Sequence, residues 1–182
     1  GNGASSTSQD SFAIGRDTTA SNFYTVALGY QAVASGSQAL AGPRSTASGS
    51  QSVCLGTLST ASGGTTAVLG PQASATVTDG LALGRYATSA GAAAAALGKS
   101  YASGTDSFAA VIDNNTSSYG ATGGHSLAIG WGAKATSSQS VCIGGFYSQA
   151  TDNYAVTLGG SQNTASGQYS VSISGASNVS SG

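Results

Sequence analysis

The sequence predicts an all-β fold, a β-solenoid wound from a repeat of about fourteen residues. Three observations predict it. A short apolar unit ending in glycine recurs along nearly the whole chain, the residues around each glycine alternate with period two, and helical spacing of three and four is absent over any useful length. Fourteen residues at about 3.3 Å each suffice, less the turns, for two short strands per coil.

The first half of each unit begins with a small residue and an apolar residue. A third residue, usually Ala, comes next, and the half-unit ends with Ile or Leu followed by Gly. Glycine supplies the left-handed backbone conformations that tight corners need. Gly42 closes a slightly shorter unit, and we expect about twelve coils in one repeat domain, residues 1–182. The glycines that end these half-units are Gly15, Gly29, Gly42, Gly56, Gly70, Gly84, Gly98, Gly130, Gly144 and Gly159.

Stacking coils about 4.8 Å apart would align the apolar residues in two rows, which we expect to be buried. One row is Phe12, Val26, Val53, Leu81, Leu127, Val141, Val156 and Val171, and the other is Ile14, Leu28, Leu55, Leu69, Leu83, Leu97, Ile129, Ile143, Leu158 and Ile173. The residue between the rows is usually Ala, and is Cys54 or Cys142 in two coils. We expect it on the opposite face, where its small size would let a sister chain approach in a side-by-side homotrimer.

The second half of each unit has small residues three and five positions after the glycine, as at Ala32 and Ala34 after Gly29. Threonines recur at one position of this half-unit, and such hydroxyl rows can order water, so an ice-binding solenoid is a minor alternative. Val33, Lys134 and Gln149 interrupt the row, whose threonines are Thr46, Thr60, Thr88 and Thr164.

The repeat is interrupted between Gly98 and Gly130, where about five extra residues stand. The inserted segment is polar and rich in turn-forming residues, so we predict an irregular loop near residues 111–125 that projects from the solenoid. Loops on rigid scaffolds often carry recognition. The candidate ligand contacts in it are Asp113, Asn114, Asn115 and Tyr119.

An exposed corner is expected just after each glycine, and several corners carry aromatic side chains. Exposed aromatic rings suit contacts with a glycan or a protein on a cell surface. The candidate ligand contacts at these corners are Tyr30, Tyr86, Trp131, Phe146 and Tyr147.

Composition argues against several classes of function. The chain has 5 Lys and Arg against 6 Asp, with no Glu, so no field exists to recruit nucleic acid. A single His and the absence of paired carboxylates leave no catalytic residues, no metal site and no cofactor site to propose. No apolar run approaches the roughly 18 residues of a membrane helix, so we expect no direct membrane insertion by this segment.

The step Ser-x-Ala-Ile/Leu-Gly followed by x-x-Ala-x-Ala-x-Gly resembles the YadA-like head repeat of trimeric autotransporter adhesins, over nearly the whole chain. The resemblance implies a left-handed parallel β-roll, with three chains side by side, displayed extracellularly on a bacterial surface and binding matrix or host cells. It implies no catalysis. Neither the neck, the coiled coil nor the membrane anchor of that family follows the repeats.

The same repeat is also used by bacteriophage fibres, so a virion fibre segment, acting in host attachment or as a structural spacer, is the alternative. Cys54 and Cys142 lie about six coils apart, on the order of 29 Å, which is beyond the roughly 7 Å Cα limit for a disulfide. We therefore expect free thiols. Free thiols are uncommon outside cells, and this favours a fibre that folds in a reducing cytoplasm.

Overall fold

The computed structural model describes residues 1–111 and 118–182, which form short strands joined by tight turns and contain no helix. The chain divides into two compact units, Gly1–Ser89 and Ala90–Gly182. Each unit is a parallel β-solenoid with two strands per coil, and the two units together have about twelve turns. The predicted all-β solenoid is confirmed, whereas the single domain over residues 1–182 stays a prediction.

The first unit holds two parallel sheets that alternate along the chain. Odd-numbered strands, two residues long, form one sheet in the order β1-β3-β5-β7-β9-β11-β13, and even-numbered strands form the other in the order β2-β4-β6-β8-β10-β12. The strands are β1 (Ser5–Ser6), β2 (Phe12–Ile14), β3 (Thr19–Ala20), β4 (Val26–Leu28), β5 (Val33–Ala34), β6 (Leu40–Ala41), β7 (Thr46–Ala47), β8 (Val53–Leu55), β9 (Thr60–Ala61), β10 (Ala67–Leu69), β11 (Ser74–Ala75), β12 (Leu81–Leu83) and β13 (Thr88–Ser89).

The second unit repeats this plan, and four of its even-numbered strands are longer than those of the first unit. Its sheets run β15-β17-β19-β21-β23-β25 and β14-β16-β18-β20-β22-β24. The strands are β14 (Ala95–Gly98), β15 (Tyr101–Ala102), β16 (Phe108–Val111), β17 (Gly120–Ala121), β18 (Leu127–Trp131), β19 (Lys134–Ala135), β20 (Val141–Phe146), β21 (Gln149–Ala150), β22 (Val156–Leu158), β23 (Thr164–Ala165), β24 (Val171–Ile173) and β25 (Val179–Ser180).

Equivalent residues of successive coils pair in register, as the period predicted. Ala67 pairs with Leu81, fourteen positions on, while Leu40 pairs with Val53, thirteen positions on, in the shorter coil that Gly42 closes. Phe108 pairs with Leu127, nineteen positions on, so this coil carries the five extra residues.

The predicted loop near 111–125 is only partly described, because residues 112–117 lie outside the described part of the chain. The described part shows that the loop ends earlier than predicted. Gly120–Ala121 already forms strand β17, which pairs with β19, and the chain from there to His125 belongs to a regular coil.

The interior of each coil is filled by small side chains, and this corrects one prediction. Ala27, Cys54 and Ala82, the residues between the two apolar rows, are fully buried inside the coil and do not face a sister chain. The apolar rows point outward, since Phe12 and Ile14 are 54% and 52% exposed in the single chain. Two sheets joined by a coil of fourteen residues lie too close for large side chains to fit between them.

Buried Ser and Thr hydroxyls donate hydrogen bonds to backbone carbonyls at the corners of the coils. Ser52 donates a hydrogen bond from Oγ to the carbonyl of Gly49 at 2.7 Å, and Thr25 donates from Oγ1 to the carbonyl of Asn22 at 2.7 Å. Each bond runs to the third residue back, so the small polar residue ahead of a strand closes its turn. The first serine of the repeat therefore has an internal structural role.

Left-handed corners occur about every seven residues, and many are not glycine. Gln51 has φ 56° and Leu58 has φ 60°, and Tyr24, Gln38 and Asp79 are similar. Such a conformation costs a non-glycine residue on the order of 1–3 kcal/mol, so the surrounding hydrogen-bonded coils must hold it in place. Glycine is required where coils touch, since a Cβ on Gly36 would lie 1.9 Å from the carbonyl oxygen of Gly49.

Candidate functional site

Each unit has two outward faces of opposite character. The aliphatic face consists of the outward positions of the even-numbered strands, all of them at least partly exposed in the single chain. In the first unit it is Phe12, Ile14, Val26, Leu28, Leu40, Val53, Leu55, Ala67, Leu69, Leu81 and Leu83. In the second unit it is Ala95, Leu97, Phe108, Ala110, Leu127, Ile129, Val141, Ile143, Val156, Leu158, Val171 and Ile173.

The hydroxyl face consists of the outward positions of the odd-numbered strands in the first unit. These are Ser5, Thr19, Val33, Thr46, Thr60, Ser74 and Thr88, aligned in register from coil to coil. The predicted row of threonines therefore exists in this unit, with Val33 as its interruption. The equivalent positions of the second unit differ and are Tyr101, Gly120, Lys134, Gln149, Thr164 and Val179.

Two of the predicted contact residues lie at corners of the first unit, each beside an arginine. The Arg16 guanidinium lies 4.5 Å from the centre of the Tyr30 ring, one coil away. The Arg85 guanidinium lies 4.7 Å from the Tyr86 ring centre and donates a hydrogen bond to its hydroxyl at 3.1 Å. Both tyrosines are 39% exposed, and the four coils between them separate them by about 19 Å. They therefore form two small sites and not one.

Four other predicted contact residues come together in the second unit, and we call them the aromatic corner: Tyr119, Trp131, Phe146 and Tyr147. Trp131 and Phe146 pair across neighbouring strands with ring centres 5.8 Å apart. Phe146 meets Tyr147 edge to face at 4.5 Å, and Tyr147 meets Tyr119 at 5.6 Å. The chain of rings runs from the border of the aliphatic face, where Trp131 follows Ile129, to the sheet on the other side of the coil.

A cleft of about 330 Å³ opens beside the aromatic corner. It is lined by Ser118, Tyr119, Lys134, Tyr147, Gln149 and Gln162. Lys134 and Gln149 are neighbours in β19 and β21, and Gly120 precedes them in the same outward row without a side chain. In the sequence, Lys134 and Gln149 stand out only as interruptions of the threonine row, and Gln162 carries no signal, because the convergence of the three residues depends on the register of neighbouring coils.

The remaining predicted contacts, Asp113, Asn114 and Asn115, lie outside the described residues. Near them in sequence, His125 Nε2 lies 3.1 Å from Asp106 Oδ2, and both side chains are exposed. Within residues 1–111 and 118–182, no three His, Cys, Asp or Glu side chains come close enough to hold a metal ion. A helix long and apolar enough to cross a membrane is likewise not found among these residues.

Both cysteines are free thiols, as predicted, and both are fully buried in the interior row. Burial raises the pKa of the Cys142 thiol from 9.0 to about 11, although a backbone hydrogen bond at Lys134 acts in the opposite direction. A neutral thiol without solvent access resists oxidation in any compartment. The cysteines therefore do not distinguish a cell surface from a reducing cytoplasm, and the argument for a virion fibre that rested on them falls away.

Comparison with known proteins identifies the repeat. The family model of the YadA head domain repeat matches residues 20–41, 61–87 and 121–146. No curated protein sequence matches the chain. The head family associates in trimers in general, and its solenoids are typically structural parts of surface-displayed adhesins. In all three matched segments, the matched residues span the alternating strands and left-handed corners described above. These three segments of the chain are therefore YadA-like head repeats.

Proposed function

We propose that the chain is a non-catalytic, trimeric surface-attachment module, an adhesin head whose three copies cover one another's aliphatic faces. One observation carries the proposal: the aliphatic face points outward from coils whose interior is already full. Soluble monomers rarely expose contiguous apolar patches beyond a few hundred Å². Rows of Val, Leu, Ile and Phe in every coil of both units need a cover, and the occupant that the repeat family supports is two sister chains.

The small interior supports the same conclusion from energetics. Ala and Ser side chains bury little apolar area per coil, whereas fully burying a Leu or Val side chain contributes about 1.5–3 kcal/mol. Most large apolar side chains of this chain stand on the aliphatic face, so assembly would bury most of the available apolar area. The predicted trimer is retained, but its contact surface is the aliphatic face and not the alanine row.

Attachment is supported by the repeat and by the outward aromatic rings at the corners. The ligand is a protein or a glycan on a cell surface, and the place of display is a bacterial outer surface, with a virion fibre as the alternative. A structural spacer would share the trimer but would not bind cells.

The test has two parts, an assembly measurement and a binding measurement. Sedimentation equilibrium at micromolar concentration should give three times the 17.4 kDa chain mass. The fluorescently labelled trimer should then bind host cells saturably. A stable monomer would overturn the assembly, and a trimer that binds no cell type would reduce the module to a spacer.

A second candidate function rests on the hydroxyl face of the first unit. Thr46, Thr60 and Thr88 form no side-chain hydrogen bond within the described residues, so their hydroxyls are available to water. Rows about 4.8 Å apart could order a water layer, as an ice-binding surface requires. A thermal-hysteresis assay decides this: growth arrest of ice crystals supports the candidate, and normal crystal growth rejects it.

A further inference from the structure

The cleft beside the aromatic corner gathers unpartnered polar groups around two aromatic rings. The Lys134 ammonium forms no ion pair within the described residues, and the side-chain amides of Gln149 and Gln162 form no hydrogen bond there. All three groups line one cleft of about 330 Å³ together with the rings of Tyr119 and Tyr147. Groups with unused hydrogen-bonding capacity on a rigid scaffold are available to a ligand.

The size and shape of the cleft favour a small ligand. Its volume lies at the lower end of the roughly 300–1,000 Å³ range of small-molecule sites, which suits one or two sugar rings. Two of its lining residues, Lys134 and Gln149, occupy the outward positions of β19 and β21. This sheet lies opposite the aliphatic face, so the cleft stays open in the proposed trimer.

The chemistry of the lining favours a sugar that carries an acid. Tyrosine rings offer flat, amphipathic surfaces for the apolar face of a sugar ring, and glutamine amides both donate and accept hydrogen bonds, as sugar hydroxyls require. Among the described residues that line the cleft, Lys134 is the only cation and none carries a carboxylate. A lysine ammonium can donate hydrogen bonds to the hydroxyls of any sugar, and its charge attracts a carboxylate in addition.

We propose that this cleft binds a saccharide carrying a carboxylate, with Lys134 on the acid, Gln149 and Gln162 on the hydroxyls, and Tyr119 and Tyr147 against the ring. The inference rests on the proposed attachment function, because it names the class of surface ligand that the module recognises. The attachment proposal does not depend on it, since other corners could serve.

The experiment titrates the whole chain with two acidic probes, sialyllactose and a glucuronate-containing disaccharide, and with lactose as the neutral counterpart. Calorimetry or ligand-observed NMR should show at least one acidic probe binding at least tenfold more tightly than lactose, and raising the ionic strength should weaken that binding. No preference for either acidic probe, or equal binding of lactose, would overturn the inference.

Matched variants locate the binding. Lys134→Gln introduces the residue type of Gln149, which pairs with position 134 in the neighbouring strand β21. This variant should bind the acidic probe at least tenfold more weakly and should no longer prefer it to lactose. Tyr147→Leu removes a ring from the lining and should also lower the affinity at least tenfold. The variant should still fold, because Leu58 shows that leucine is accepted at a left-handed corner. Tyr169→Leu is the control, an exposed left-handed tyrosine that does not line the cleft. Unchanged binding in Lys134→Gln would overturn the proposal.

The same variants separate this inference from the attachment proposal. Cells that bind Lys134→Gln and the wild type equally, while both proteins sediment as trimers, would leave attachment standing and remove the cleft from it. Acidic saccharides that bind the cleft, while no cell binds the trimer, would leave the cleft standing and remove attachment.

Discussion

The two sheets of a coil have the same interior and opposite exteriors. Inward, both carry small residues, such as Ala27 in β4 and Ala34 in β5. Outward, β4 presents Val26 and Leu28. The sheet that contains β5 presents mainly Thr and Ser, such as Thr19 and Thr46 in the strands on either side of β5. Both sheets are parallel and in register, so the backbone does not explain the difference. The inward residues therefore determine the coil, and the outward residues determine what each face meets, which in the proposed trimer is sister chains on one side and solvent on the other.

The second unit shows what happens when the solvent-facing side departs from the pattern. Its odd-numbered strands keep the buried alanines, Ala121 and Ala135 among them, but their outward row changes from Thr and Ser to Gly120, Lys134 and Gln149. The coil is preserved while the surface acquires a cleft. A cleft can thus be added to this fold on one face without disturbing the other.

The largest effect is expected from charges placed on the two faces. Leu55→Lys with Leu69→Lys puts two ammonium groups in neighbouring strands of the aliphatic face, and burying them between sister chains would cost several kcal/mol. We expect this variant to sediment as a monomer at micromolar concentration. The matched variant, Thr60→Lys with Ser74→Lys, alters neighbouring strands of the hydroxyl face and should remain trimeric. If both variants dissociated, or if neither did, the aliphatic face would not differ from the hydroxyl face in its contact with sister chains.

A smaller effect separates the inside of a strand from its outside. Ala96 is fully buried, and Ala96→Leu should cost about 3 kcal/mol of the free energy of unfolding, because the interior has no room for it. Its neighbour Ala95 belongs to the row of the aliphatic face that carries Phe108 and Leu127 in the next coils, so Ala95→Leu should cost clearly less than Ala96→Leu. Urea unfolding of the two variants checks this, and equal losses would contradict an alanine-filled interior.

Because the Cys142 thiol is buried in the interior of the coil, the free energy of unfolding should depend on pH. The pKa of Cys142 is raised by burial from 9.0 to about 11, so folding favours the protonated form. Its contribution to stability is complete below pH 9 and is lost as the pH rises towards 11, by about 2–3 kcal/mol. Urea unfolding of the wild type and of Cys142→Ala at pH 8 and pH 11 should show their difference shift by that amount. A difference independent of pH would place the thiol in contact with water.

The smallest effect concerns the corners that join the two faces. Leu58 is an exposed left-handed residue, so Leu58→Gly should relieve backbone strain and stabilise the fold by about 0.5–1 kcal/mol. The adjacent Thr57 is exposed too but is not left-handed, and Thr57→Gly should destabilise the fold by about 0.5–1 kcal/mol. Thermal unfolding gives both values, and the same sign for both would show that the corner is unstrained.

The period of the sequence was enough to predict the coil and its register. Gly42 marked the shorter coil, and the five extra residues before Leu127 marked the insertion, because in-register parallel pairing makes every change of coil length visible as a shift in spacing. The pairing of Trp131 with Phe146 did not follow from the period, because the register shifts between Ile129 and Trp131.

The direction of the side chains could not be predicted from alternation alone. A strand with Val53, Cys54 and Leu55 offers either face to the interior, so alternation alone does not exclude the larger apolar residues from the inside. The informative signal was uniformity of size: the middle residue is small in nearly every coil, as a narrow interior demands. The left-handed corners carried no such signal, since Gln51, Leu58 and Asp79 share no side-chain property.

The most direct test of an outward, covered aliphatic face uses single cysteines in a Cys54→Ala, Cys142→Ala background. Leu83→Cys on the aliphatic face should react slowly with maleimide in the assembled protein. It should react fast once Leu55→Lys and Leu69→Lys dissociate the copies. Ala82→Cys should stay protected in both, because its row already accepts Cys54. Fast labelling of Leu83→Cys in the assembled protein, or exposure of Ala82→Cys on dissociation, would contradict the account.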